Sequence, residues 1–115
     1  MADLEICSMS LKDISEVIVV EKLSFSIPWS EASFIEEIKN NRFARYIVAK
    51  ADGRVVGYAG MWIIIDEGHI TNIAVHPEYR RMGIGSALMS RLIEIARAEG
   101  VESMTLEVRK SNFAA

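Results

Sequence analysis

Apolar residues recur with two different periods along this chain, and each period predicts a type of secondary structure. Apolar residues at every second position, bounded by turn residues, are typical of strands, whereas a spacing of three to four residues is typical of amphipathic helices. Both periods occur within the 115 residues. The pattern therefore predicts an α/β fold with a mixed, mostly antiparallel sheet flanked by helices.

The alternating pattern of the strands is interrupted by two turn signals, Asp52-Gly53 and Asp66-Glu67-Gly68. An Asp-Gly pair between alternating segments strongly favours a hairpin, so the three strands joined by these turns should run antiparallel. The last strand follows a helix, which indicates a locally parallel, right-handed unit. The predicted strands are Leu4–Met9, Arg45–Ala51, Arg54–Ile65, His69–Val75 and Ser103–Arg109.

Three segments have the helical spacing of apolar residues, and each has a signal for the start or the end of a helix. Ser10 with Asp13 resembles a capping box, and this first helix should end near Phe25 because Pro28 disfavours helical backbone before it. Ser30 caps the second helix, and Gly100 ends the third. The expected core residues are Ile14, Val17, Ile18 and Leu23, then Phe34, Ile35 and Ile38, then Ile84, Leu88, Leu92 and Ile95, whereas Glu36, Glu37 and Lys39 should face solvent.

The loop before the third helix contains Gly83 and Gly85. Glycines let backbone N–H groups approach a ligand, and the first N–H groups of a helix have no intrahelical partner, so they attract anions such as phosphate. Arg80 and Arg81 add two cations. On these residues alone, a glycine-softened turn with two solvated arginines is the favoured interpretation.

Two other phosphate-binding motifs are excluded at this loop. Leu88 stands where the dinucleotide motif G-x-G-x-x-G needs its third glycine, and no G-K-[ST] follows as in a nucleotide P-loop. The expected ligand is therefore neither NAD nor ATP.

Composition narrows the class of protein. The net charge is −3, and there is no basic stripe of the kind that binds nucleic acid. Residues 1–42 hold eight acids and four bases, a balance that suits either a cationic substrate or an ordinary solvated surface. A single cysteine, no leader pattern and no long apolar run predict a cytoplasmic protein without a membrane span. The histidines have no metal-ligand spacing, so no metal is expected.

The segment V-H-P-E-Y-R-R-M-G-I-G-S at residues 75–86 resembles motif A of the GNAT family of N-acetyltransferases. Two further segments, F-S-I-P-W-S at 25–30 and L-E-V-R-K-S-N at 106–112, resemble the ribosomal-protein alanine N-acetyltransferase branch of that family. The resemblance runs from about the first strand to the last residue. It implies acetyl-CoA as the co-substrate and a GNAT-like fold.

The resemblance also implies roles for individual residues. Glu107 would be the catalytic base, although as a bare strand residue it could instead pair with Arg109. Phe25, Pro28 and Trp29 would form a wall of the substrate cleft, although a hydrophobic staple between the first two helices explains them equally well. The residues that would bind acetyl-CoA are Ile73, Ala74, Val75, Arg80, Arg81, Met82, Gly83, Ile84, Gly85, Ser86 and Asn112. Residue types alone would instead indicate an ordinary core strand at 73–75 and a helix-entry or turn position for Asn112.

The end of the chain is expected to be incomplete. In the family a further helix and further strands follow, including a tyrosine that protonates the departing thiolate, so residues 1–115 would be a single GNAT domain that lacks its C-terminal helix and strands. The last strand would then have an open edge. We expect either a fragment or a homo-oligomer in which a second copy covers that edge.

Three functions are compatible with the sequence. The leading hypothesis is acetyl transfer from acetyl-CoA to a protein N-terminal α-amine, with a ribosomal protein as the acceptor. Acetylation of a small-molecule amine is the alternative enzyme, since motif A indicates only the co-substrate. A non-catalytic acetyl-CoA-binding or assembly module is the third.

Overall fold

The computed structural model describes residues 4–106, which form one five-stranded sheet and three α-helices. Two short 3-10 turns, Leu11–Asp13 and Pro77–Tyr79, precede α1 and the glycine loop. The strands are β1 Leu4–Ser8, β2 Ala44–Ala51, β3 Arg54–Ile64, β4 Glu67–Val75 and β5 Ser103–Leu106, and the helices are α1 Ile14–Ser24, α2 Glu31–Asn40 and α3 Ile84–Ala98.

The strands lie in the sheet in chain order. β1 to β4 pair antiparallel with their neighbours, and β4 pairs parallel with β5 from Glu67↔Ser103 to Ile70↔Leu106. The predicted mixed, mostly antiparallel sheet is therefore confirmed. Of the last predicted strand, residues 107–109 lie outside the described residues.

Each face of the sheet is covered by its own core. On one face α1 and α2 pack through Val17, Val20 and Phe34 against Val48 and Tyr58. On the other face α3 packs against β2, β3 and β4, and its inward residues are Ile84, Leu88, Leu92 and Ala96. Because the side chains of a strand alternate between faces, the inner strands are apolar on both sides.

Two ion pairs connect helix ends to β2. Asp13 accepts the backbone N–H of Ser10 at 2.9 Å and lies 3.1 Å from Lys50 Nζ. Burial alone would raise the pKa of Asp13, but the Ser10 and Lys50 hydrogen bonds outweigh it, so the pKa of Asp13 is lowered and that of Lys50 is raised. Arg45 binds both carboxylate oxygens of Glu99 at 2.7 Å, which raises the pKa of Arg45 and lowers that of Glu99.

Three expectations from the sequence are wrong in detail. The second hairpin turns at Ile65 and Asp66, with Ile65 at φ +56°, and Glu67 and Gly68 already belong to β4. Leu23 is 43% exposed, and Val20 and Glu21 occupy the inner face of α1 instead. Glu37 does not simply face solvent, because Trp62 and Tyr46 hydrogen-bond to it.

Candidate acetyl-donor and acceptor site

The glycine loop has the backbone of an anion-binding helix start. Arg81 and Gly83 adopt left-handed conformations, with φ of +66° and +79°, and α3 begins at Ile84. The Ala87 N–H donates to Gly83 O at 3.0 Å. The N–H groups of residues 84–86 come before that bond, so they have no acceptor within the helix and are available to a ligand.

The space in front of this loop is open. A Cβ built on Gly83 would meet no atom within 4 Å, and one on Gly85 would meet only Val75 Cγ2 at 3.9 Å. Gly83 is required by its positive φ, whereas neither backbone conformation nor packing requires glycine at 85. The space beside the first N–H groups of α3 is therefore free of protein side chains, which suits an anion such as a phosphate group.

The two arginines of the loop have different environments. Arg80 donates from Nε to Val75 O at 2.9 Å and from Nη2 to Ser24 Oγ at 3.3 Å. It therefore ties the loop to the end of β4 and to the last turn of α1. Arg81 and Met82 are exposed on the loop surface. Of the two cations, Arg81 is the one whose side chain lies in solvent, where a phosphate can reach it.

Some backbone N–H groups of β4 point away from β3, toward the opposite edge of the strand. His76 N–H donates to Val56 O at 2.7 Å, and hydrogen-bonded pairs alternate along an antiparallel ladder. Ala74 N–H therefore points to β3, whereas those of Ile73 and Val75 point to the opposite edge. In the described part of the chain, β5 pairs with β4 only as far as Ile70. The N–H groups of Ile73 and Val75 are thus the better placed of the three predicted donors.

A bulge lies immediately before these donors. The register passes from Gly60↔Asn72 to Met61↔Ile70, which leaves Thr71 as the extra residue. Thr71 Oγ1 and Asn72 Nδ2 are buried and have no hydrogen-bond partner among residues 4–106. Unpaired buried polar atoms cost roughly 1 to 3 kcal/mol each, and in native proteins such atoms commonly serve a functional site or bind a water molecule or an ion. Both atoms lie at the strand where the acyl group is expected.

The loop between α1 and α2 is anchored by a buried glutamate. Glu21 has no exposed surface, accepts a hydrogen bond from the Tyr58 hydroxyl and accepts the Trp29 backbone N–H at 2.7 Å. Of the predicted acceptor-site residues, Phe25 is buried in the core, Pro28 is exposed and Trp29 is half-buried. Trp29 lines a cavity between α2 and β3.

Glu37 lines the same cavity as Trp29, although the sequence pattern predicted a solvent-facing position for it. Its Oε1 accepts hydrogen bonds from Trp62 Nε1 at 2.7 Å and from the Tyr46 hydroxyl at 3.1 Å. The Tyr46 hydroxyl also lies 3.3 Å from Asn72 Oδ1, so the network reaches β4. One sequence signal was present: Glu37 lies three residues after Phe34, next to Ile38, on the inner side of α2.

The remaining expectations concern residues or groups that this structure does not test. Glu107 and Asn112 lie outside the described residues, so their roles stay predictions. Within residues 4–106, no cluster of His, Cys, Asp and Glu is arranged to hold a metal. None of the helices in the same range is long and apolar enough to cross a membrane.

Known proteins with similar sequence or fold place these features in one family. The model of the acetyltransferase (GNAT) family matches residues 14–115. A Bacillus subtilis (strain 168) protein, named provisionally as a ribosomal protein bS18-alanine N-acetyltransferase, is 41% identical over 94% of this chain and 72% of its own length.

Solved structures agree with that match. The ribosomal-protein-S18-alanine N-acetyltransferase from Escherichia coli superposes with a TM-score of 0.85 and 31% identity, over 97% of this chain and 71% of its own. The PaiA N-acetyltransferase from Thermoplasma acidophilum, solved with coenzyme A, has a TM-score of 0.78 over 96% of this chain and 82% of its own; at 22% identity it shows the fold alone. The predicted N-acetyltransferase activity is confirmed, and the chain belongs to the acetyltransferase (GNAT) family.

Proposed function

We propose that this N-acetyltransferase transfers an acetyl group from acetyl-CoA to the α-amine of a protein N-terminus, with a ribosomal protein that begins with alanine as its acceptor. The open glycine loop at the start of α3 is the observation that supports acetyl-CoA as the acetyl donor. The acceptor half is supported by the names of the Bacillus subtilis and Escherichia coli relatives.

The donor would be held by backbone more than by side chains. The N–H groups of residues 84–86 bind the pyrophosphate, and Arg81 adds a positive charge. The Ile73 and Val75 N–H groups hydrogen-bond the pantetheine and the thioester oxygen. A correctly placed donor to that oxygen is worth about 2.7 to 4 kcal/mol once negative charge develops on it. Asn112 is proposed as a further contact to coenzyme A.

The acceptor must reach the thioester as a neutral amine. An α-amine has a pKa near 7.7 to 8.0, against about 10.4 for lysine, so obtaining the neutral form costs roughly 3.4 kcal/mol less. Glu107 is proposed to remove the proton, directly or through a water. The wall of the cleft on the acceptor side would be formed by Trp29, Pro28 and Phe25. Phe25 is buried, so it would contribute by packing in the core that supports Trp29.

The test is incubation of the protein with acetyl-CoA and a panel of peptides that differ only in their first residue, followed by mass measurement. A matched peptide has a blocked N-terminus and a lysine. We expect acetylation of the free α-amine, fastest for alanine. Acetylation of only the blocked lysine peptide, or of small amines but no peptide, would contradict the proposal. The cytoplasmic location, the single domain over 1–115 and the homo-oligomer stay predictions.

A further inference from the structure

A cavity of about 460 Å³ lies between α2 and β3, beside the loop that carries Trp29. Two indoles and two carboxylates form its walls, and small residues complete it. The lining residues are Trp29, Ala32, Ser33, Glu36, Glu37 and Trp62. The cavity is open to solvent, and its volume is large enough for a side chain to enter.

The carboxylate of Glu37 is held by neutral groups. It accepts hydrogen bonds from Trp62 Nε1, from the Tyr46 hydroxyl and, at Oε2, from Asn41 Nδ2 at 3.0 Å. Within residues 4–106, no lysine, arginine or histidine forms an ion pair with Glu37. None of these neutral donors cancels the charge of a carboxylate, and Oε2, which accepts one hydrogen bond, has capacity for a further donor.

The surroundings of Glu37 suit a cation with a long apolar stem. Aromatic faces attract ammonium and guanidinium groups, and Arg or Lys stems pack on apolar walls while the charged head reaches a carboxylate. The Trp62–Glu37 hydrogen bond holds one indole and the carboxylate in a fixed relation. A lysine or arginine side chain would occupy more of the cavity than an α-ammonium with an alanine methyl would.

The cavity is connected to the strand that is proposed to hold the acetyl group. The Tyr46 hydroxyl contacts Glu37 on one side and Asn72 Oδ1 at 3.3 Å on the other, and Asn72 lies at the β4 bulge. One tyrosine therefore separates the cavity from the expected reaction centre. A cation bound there would belong to a residue close to the acetylated N-terminus.

We propose that this cavity is a specificity subsite for the basic side chain of a lysine or arginine that follows the N-terminal residue of the acceptor polypeptide, with Glu37 as the residue that binds its charge. The proposal rests on the proposed function, because it takes a peptide as the acceptor. It adds a requirement for the acceptor sequence beyond the first residue.

The test compares peptides that begin with a free alanine and carry either arginine or citrulline at the second, third or fourth position. Citrulline keeps the shape of arginine without its charge. Wild type should prefer the arginine peptide at one or more positions by about tenfold in kcat/KM, chiefly through KM. In Glu37→Gln, which keeps the acceptor oxygen for Trp62 and Tyr46, that ratio should fall close to one.

The matched control is Glu31→Gln, on the same helix but outside the cavity lining, and it should keep the wild-type ratio. Each ratio compares two peptides on one protein preparation, so a general loss of activity cancels. Equal rates for both peptides in wild type, or a wild-type ratio in Glu37→Gln, would overturn the subsite and leave the proposed function standing. Failure to acetylate any peptide would overturn both.

Discussion

The ring of Tyr46 lies directly over Gly60, so closely that a Cβ on Gly60 would be 2.6 Å from Tyr46 Cζ. Tyr46, Gly60 and Asn72 are opposite one another on β2, β3 and β4. The glycine lets the tyrosine cross the central strand and place its hydroxyl between Glu37 and Asn72. A missing side chain in the sheet thus allows the polar network beside the β4 bulge to form.

Gly60→Ala should displace the Tyr46 ring and destabilise the protein by about 1 to 3 kcal/mol, because the methyl group would overlap the ring in a closely packed core. Urea unfolding measures the loss. Gly68→Ala is the control, because a Cβ there would make only ordinary van der Waals contacts, the nearest being with the side chains of Met104 and Met61 at 3.4 Å. Equal stability of the two variants would show that Gly60 is not needed for the position of the tyrosine.

Asp13→Asn should cost roughly 1 to 3 kcal/mol at pH 7, because it removes the charge that binds Lys50 and the Ser10 N–H. The pKa of Asp13 is lower in the folded protein than its ordinary value of 3.8. The carboxylate therefore stabilises the fold fully above that value, and its contribution is lost as the pH falls through the lowered pKa.

The free energies of unfolding of wild type and Asp13→Asn should consequently converge as the pH falls below about 4. Asp66→Asn, at an exposed turn, provides a control that should match wild type at both ends of the range. A difference between wild type and Asp13→Asn that stays constant down to the lowest pH would show that the charge of Asp13 is not what stabilises the fold.

Glu107→Gln should lower the rate on a free N-terminal peptide by roughly a hundredfold or more at neutral pH, because the general base is lost. The rate should partly recover at higher pH, where the α-amine, with a pKa near 7.7 to 8.0, deprotonates without help. Steady-state rates across pH measure this, with Glu102→Gln as the control. A wild-type rate for Glu107→Gln at pH 7 would remove Glu107 from the role.

The regular parts of the fold could be predicted because their signals are local. Alternation located the strands, and Ser30 caps α2 as expected, accepting the Ser33 N–H at 3.1 Å. Gly83 marked the start of α3, where its positive φ is needed. The glycine loop was therefore visible in the sequence before any contact was known.

The buried Glu21 and the half-buried Glu37 could not be predicted in the same way. Glu37 was expected to face solvent, and no local signal marked Glu21 as buried, because charged residues are seldom buried without partners. Their partners are distant in the chain: Tyr58 is 37 residues from Glu21, and Trp62 is 25 residues from Glu37. The bulge at Thr71 likewise follows from the pairing of β3 with β4, and a strand pattern does not contain it.

The most direct test is a calorimetric titration of acetyl-CoA into wild type, Gly85→Val and Ser90→Val. Gly85 has no positive φ, and a Cβ there would meet only Val75 Cγ2 at 3.9 Å, so α3 should still form with a branched side chain at this position. Ser90 is an exposed position further along α3. We predict that Gly85→Val weakens binding about tenfold or more, or about 1.4 kcal/mol, while the protein still unfolds cooperatively, and that Ser90→Val binds like wild type. Wild-type affinity in a folded Gly85→Val protein would contradict the assignment of this loop as the acetyl-CoA site.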